Sequence, residues 1–97
     1  MTKLSDEEVD AALAAGGLQG WQREGSEIVK EFTFKNFVEA VAFIDRLVAP
    51  AEAANHHPDL ENHYNRVRVA LHTWSEDGVT EKDLALAREV ERVSSGD

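Results

Sequence analysis

The sequence has no cysteine. That excludes disulfides, thiolate nucleophiles and cysteine-ligated zinc, and is compatible with a reducing compartment. Positive charge is also scarce: 10 Lys and Arg stand against 19 Asp and Glu, a formal charge of −9 at pH 7. A nucleic-acid reader must neutralise phosphates with cations, so direct binding to nucleic acid is not expected. No uninterrupted apolar run approaches the roughly 20 residues that span a bilayer. The N-terminus turns acidic at Asp6, where a signal peptide would enter its apolar stretch. These absences predict a soluble, cytoplasmic protein with neither membrane nor nucleic-acid partner.

What is present is one domain, residues 1–97, with ordinary apolar content and no internal repeat. A domain this small buries a limited share of its surface and leaves sheet edges open. Self-association, as a homodimer or homotetramer, is therefore expected.

The chain divides into recognisable elements. Ser5 with Glu8 forms a capping box, Leu4 and Val9 a hydrophobic staple, and Gly16-Gly17 a stop, so a short helix begins at Ser5. From Leu18 to Phe34, β-prone residues flank the turn chemistry of Glu24-Gly25-Ser26, which reads as a hairpin. Ile28, Phe32 and Phe34 share one strand face, interrupted by Lys30, whose stem can pack while its amine reaches water. Trp21, Phe32, Phe34 and Phe37 are expected in the core.

A longer helix starts at Asn36, with Glu39 at the third position. Its apolar stripe is Phe37, Ala40, Val41, Ile44, Leu47, Val48 and Ala51. Pro50 costs such a helix about 3 kcal/mol and predicts a kink or restart. Beyond it, Glu52 and His56 lie four apart, close enough on a resumed helix for the carboxylate to orient the imidazole. Residues Tyr64 to Trp74 alternate as one long strand, and a short strand around Leu60 is possible. Ser75 to Gly78 make a turn. Thr80 then caps a last helix with Asp83 at the capping-box position, a Val79–Leu84 staple and a buried stripe of Leu86, Ala87, Val90 and Val93. The terminal Ser-Ser-Gly-Asp is expected to fray. The fold class is α+β: a three- or four-stranded antiparallel sheet with three helices packed on one face.

The chemistry concentrates at His56-His57-Pro58. Imidazole titrates near working pH, so an adjacent pair can supply an acid and a base for one reaction. Pro58 restricts His57 to extended backbone, where neighbouring side chains diverge.

Taken together, Glu52-x-x-x-His56-His57-Pro58, then Tyr64, Trp74 and Asp83, resembles the pterin-4a-carbinolamine dehydratases, over nearly the whole chain. The resemblance implies dehydration of 4a-hydroxytetrahydropterin to quinonoid dihydropterin and water, as in tetrahydrobiopterin recycling, with a pterin as small-molecule partner. Two imidazoles suffice for the proton transfers, so neither metal nor other cofactor is called for. It further implies that His56 and His57 are the catalytic pair, with His57 the more critical. Glu52 is an orienting group, and Pro58, Tyr64, Trp74 and Asp83 contribute to substrate binding. For Asp83, the capping box is a complete structural explanation in itself. Tyr64 either lines the pocket or begins the strand.

The best-known members of the family carry a third histidine where this chain has Trp74. Indole cannot titrate, though its flat ring can stack on a pterin. His72 stands two residues earlier and is either a partial substitute or a solvated strand residue about 7 Å from Trp74. His63 reads as a surface residue.

Two rival functions compete with this reading. A zinc site fits poorly, since adjacent histidines are badly placed to chelate one ion and no two histidines stand at helical spacing of four. A non-enzymatic interaction protein on the same scaffold is the stronger rival. The family includes a transcription-factor dimerisation cofactor and relatives that assist Rubisco assembly.

Overall fold

Ser5 caps the first helix: its hydroxyl accepts from the Glu8 N–H at 3.1 Å while the Glu8 carboxylate accepts from the Ser5 N–H at 2.8 Å. In the computed structural model, which describes residues 2–95, this helix is α1 (Asp6–Ala14). Of the tail expected to fray, residues 96–97 lie outside the described residues. α1 buries only Val9. It is held to the rest of the domain by the Leu4 N–H bond to the Val79 carbonyl and by Arg23, which pairs with Asp10.

Strands β1 (Gln22–Glu24) and β2 (Glu27–Thr33) form the expected hairpin across Gly25-Ser26. Gly25 supplies the positive φ, +60°, that a two-residue turn requires. The order in the sheet is β1-β2-β4-β3, antiparallel throughout. Here β3 is Asp59–His63 and β4 is Arg66–Leu71. The strand suspected around Leu60 is therefore real. It is the outer edge, exposed at every position.

The long strand expected from Tyr64 to Trp74 is shorter at both ends. Tyr64 adopts φ +54° in the β3–β4 turn. Asn62 secures that turn by donating to the carbonyls of Tyr64 and Arg66. After Leu71 the chain makes a bridge between Thr73 and Gly78 and one turn of 3-10 helix, Trp74–Glu76. Alternation continued in the sequence because it reports side-chain polarity and is blind to where the ladder of partners ends.

α2 (Phe37–Ala54) is capped by the Asn36 side chain, which accepts from the Glu39 N–H at 2.9 Å. It runs without a break through Pro50, so no restart occurs. Leu47 and Ala51, on either side of the proline, are both buried, and that packing offsets the missing backbone bond. α3 (Glu81–Ser94) packs beside α2, and Arg46 donates to the Val93 carbonyl at 2.9 Å.

The core joins Ile28, Phe32, Val67, Val69 and Leu71 of the sheet to Ala40, Phe43 and Leu47 of α2 and to the Leu84–Val93 stripe of α3. Phe43, absent from the expected stripe, is fully buried, with its ring between Phe32 and Phe34 at centroid distances of 5.0 and 4.9 Å. Conversely Phe37, Val41 and Val48 are exposed, together with Val38 and Leu60. The buried face of α2 is Ala40, Phe43, Leu47 and Ala51, so the expected stripe coincides with it only in part. Lys30 also departs from expectation: its amine turns inward to the Glu91 carboxylate and the Gln19 carbonyl, both at 2.8 Å. Glu91 accepts from the Trp21 indole as well, at 3.0 Å.

Candidate active site

Three separate parts of the chain meet at one cleft. The end of α2 and start of β3 bring Asn55 to Asp59, the segment after β4 brings His72 to Ser75, and the first turn of α3 brings Lys82. The cavity measures about 410 Å³. Beside it lies an apolar groove of about 200 Å³, formed by Ile44, Leu47, Val48 and Leu60, and His57 and Pro58 border both.

The geometry around His56 begins with the helix terminus. Asn55 adopts the left-handed conformation at φ +49°, and the His56 N–H then bonds to the Ala51 carbonyl at 3.1 Å. This turns His56 off the helix face that carries Glu52, so the expected Glu52–His56 pair does not form. His56 instead points inward, and its Nε2 lies 2.5 Å from Asp83 Oδ1. Glu52 pairs with His57, Nε2 to Oε2, at 2.6 Å. The two rings thus turn to different partners.

Asp83 is completely buried, and both its oxygens have hydrogen-bond partners. Its Oδ2 accepts from the Thr80 N–H at 2.9 Å, which is the capping box, and from the Thr73 hydroxyl at 2.7 Å. Thr73 has one hydroxyl proton and spends it on Asp83. In the 2.8 Å contact between Thr73 and Thr80, the Thr80 hydroxyl is therefore the donor. The capping box and the histidine contact use different oxygens, so one carboxylate makes both at once. A buried carboxylate is tolerated because every neighbour donates to it.

Both imidazoles present Nε2 to a carboxylate, which assigns the Nε2–H tautomer to a neutral ring and leaves Nδ1 with the lone pair. Such a ring accepts a proton at Nδ1 and, once protonated, can return it. The two environments differ sharply. His56 is 11% exposed beside a buried partner, whereas His57 and Glu52 are 55% and 70% exposed.

Of the other residues singled out from the sequence, Pro58 and Trp74 line the cleft. Trp74 is 78% exposed, offering a flat face at its rim. Tyr64 lies in the β3–β4 turn and borders neither cleft nor groove. His63 is exposed, 3.4 Å from Glu61. His72 is not the solvated residue that was one of its two readings: its side chain is 9% exposed, and its ring meets Trp74 edge-on at 4.7 Å. Sequence reasoning missed Thr73, Thr80 and Lys82 as residues of the site. Thr80 carried a signal as helix cap, but nothing local ties Thr73 to Asp83.

Among the described residues no group of three or more His, Asp or Glu is arranged to hold a metal ion, and no helix is long and apolar enough to cross a membrane.

Fold and site together define a class: an α+β domain with a cleft lined by two imidazoles, each paired with a carboxylate. The chain belongs to the pterin-4a-carbinolamine dehydratase family, whose model, described as pterin 4 alpha carbinolamine dehydratase, matches residues 2–93. It is 42% identical over 95 residues to a Thermomicrobium roseum protein provisionally named pterin-4-alpha-carbinolamine dehydratase, covering 98% of this chain and 100% of that one. A Nostoc protein of the same provisional name is 44% identical over 91 residues, covering 94% and 96%. Among solved structures, a transcriptional coactivator/pterin dehydratase from Brucella melitensis superposes with a TM-score of 0.90 at 40% identity, covering 96% of this chain and 99% of that one. A pterin dehydratase-like RuBisCO assembly factor of the alpha-carboxysome shares the fold at a TM-score of 0.64 and 24% identity, covering 76% and 86%.

Proposed function

We propose that this protein is a 4a-hydroxytetrahydropterin dehydratase, a hydro-lyase yielding quinonoid dihydropterin and water in tetrahydrobiopterin recycling, with His56 and His57 as its acid–base pair. The observation that carries this reading is that His56 and His57, each held by a carboxylate, line one cleft. Dehydration breaks the C4a–O bond. One imidazolium protonates the departing hydroxyl, and one neutral imidazole takes the proton of a ring nitrogen, whose electron pair forms the new C=N bond. The net loss is one water. Asp83 and Glu52 hold the two rings in place, Pro58 fixes the backbone of His57, and Trp74 offers a stacking face for the pterin. Tyr64, standing apart, has no assigned part in the reaction. The cytoplasmic setting belongs to the same proposal.

A homodimer or homotetramer is also part of this reading. Phe37, Val41, Ile44 and Val48 recur at spacings of four, three and four along the outer side of α2, and all but the half-buried Ile44 are exposed. A second copy presenting the same stripe would bury it, as a two-fold interface requires. Light scattering should show a dimer or tetramer across a wide concentration range; a monomer throughout would count against it.

The second reading, a catalytically weak interaction protein such as a dimerisation cofactor or assembly factor, is favoured by that same apolar stripe. A stopped assay of carbinolamine dehydration separates the two. The wild-type protein should exceed the spontaneous rate and His57→Ala should lose most of the excess; background rates for both would leave only the interaction reading.

A further inference from the structure

His72 Nε2 is the buried side-chain nitrogen that lacks a hydrogen-bond partner among the described residues. It lies in the wall of the cleft that holds His56 and His57. Asp77 Oδ1 is 3.8 Å away, beyond hydrogen-bond distance, on a carboxylate otherwise open to solvent. We propose that His72 is a third working imidazole of this site and Asp77 its positioning carboxylate, the pair closing to a hydrogen bond when a pterin occupies the cleft.

The proposal rests on the dehydratase reading and deepens it. Each of the other two cleft imidazoles already holds a carboxylate on Nε2, at 2.5 and 2.6 Å. His72 repeats the arrangement with the gap still open. The means of closing it is local. Trp74 touches the His72 ring and sits on the same tight turn as Asp77, whose N–H bonds to the Trp74 carbonyl at 3.2 Å. A flat heterocycle laid on the exposed face of Trp74 would bear on the same turn that carries Asp77.

Closure has a chemical consequence. With Nε2–H donating to Asp77, a neutral His72 keeps its lone pair on Nδ1, the nitrogen left to meet a ligand N–H. His72 thereby adds a third imidazole to the two already in the cleft. The charged and titratable groups that share the cleft with His72 are Asp59, Lys82, His56 and His57, with Asp77 beside it.

The test uses the full chain, with His72→Gln, which keeps polarity and loses titration, and the surface variant Asp77→Asn. Steady-state dehydration is followed across pH, and the imidazole 15N resonances during titration with 7,8-dihydrobiopterin. His72→Gln should lower kcat by about tenfold or more with KM little changed, and remove one ionisation from the pH profile. Asp77→Asn should shift that ionisation and, on ligand addition, leave the His72 Nε2 resonance unmoved where the wild type responds. An active wild type with kcat and pH profile unaltered in both variants would overturn the inference and leave the dehydratase standing. If the wild type shows only the spontaneous rate, the dehydratase reading falls, and the resonances decide separately. His72 signals that move with those of His56 and His57 sustain its place in a pterin site, and unmoved signals overturn it. Should His72→Gln not fold, Asp77→Asn and the wild-type titration carry the decision alone.

Discussion

Asp83→Asn is the sharpest perturbation of this site because it changes charge and donor pattern with almost no change of volume. Asp83 accepts from the Thr73 hydroxyl and the Thr80 N–H through Oδ2 and faces His56 through Oδ1. Asparagine has one acceptor oxygen. Keeping it toward Thr73 and Thr80 turns the amide nitrogen toward His56, and that nitrogen can only donate. His56 must then accept at Nε2, which moves the proton of the neutral ring to Nδ1. Two bonds also lose charge assistance, worth about 1 kcal/mol each when bonds to charged and neutral acceptors are compared. Relief from burying a charge offsets part of that. The expected loss is about 1–2 kcal/mol, a fall in Tm of roughly 5–15 °C for a domain of this size at fixed protein concentration. Dehydration should fall about 100-fold or more, since the imidazole presents the wrong nitrogen. Thermal melts, the dehydration assay and the 15N shifts of His56 read the three consequences independently. A variant that keeps its Tm within about 2 °C and retains an Nε2–H tautomer at His56 would refute the reasoning.

Phe43→Ala should destabilise by about 3–5 kcal/mol in urea, because the ring is fully buried between Phe32 and Phe34; a loss below about 1 kcal/mol would place it outside the core. Asp10 supplies a pH signature, since its hydrogen bond from Arg23 holds the carboxyl below its ordinary value of 3.8. A carboxylate depressed in the folded state contributes stability that is present above 3.8 and lost as pH falls below it. The stability gap between wild type and Arg23→Gln should accordingly shrink between pH 5 and about pH 2.5 in urea titrations. A gap unchanged over that range would assign the effect of Arg23 to packing.

Most of the fold was legible because its signals are local. Ser5 with Glu8, Asn36 with Glu39, and Thr80 with Asp83 each satisfy backbone groups within three residues, Gly25 supplies the hairpin's positive φ, and each stands where the sequence placed it. The errors lie where partners are distant. Phe43 and Phe37 both fit a helical stripe, and only the position of the sheet decides that Phe43 faces it. The end of β4 depends on its neighbours β2 and β3, so alternation through Trp74 could not mark it.

The site divides in the same way. The sequence by itself determined that His56, His57 and Pro58 follow the core helix, that Asp83 belongs to a capping box, and that cysteine chemistry is excluded. Which carboxylate serves which imidazole was decided by tertiary structure alone. One left-handed residue, Asn55, rotates the chain so that Glu52 meets His57, while packing of α3 against the sheet carries Asp83 across 27 residues of sequence to His56. Hydrogen bonds depend on positions within a few tenths of an ångström, and such positions are set by the packed core, which no spacing along the chain encodes.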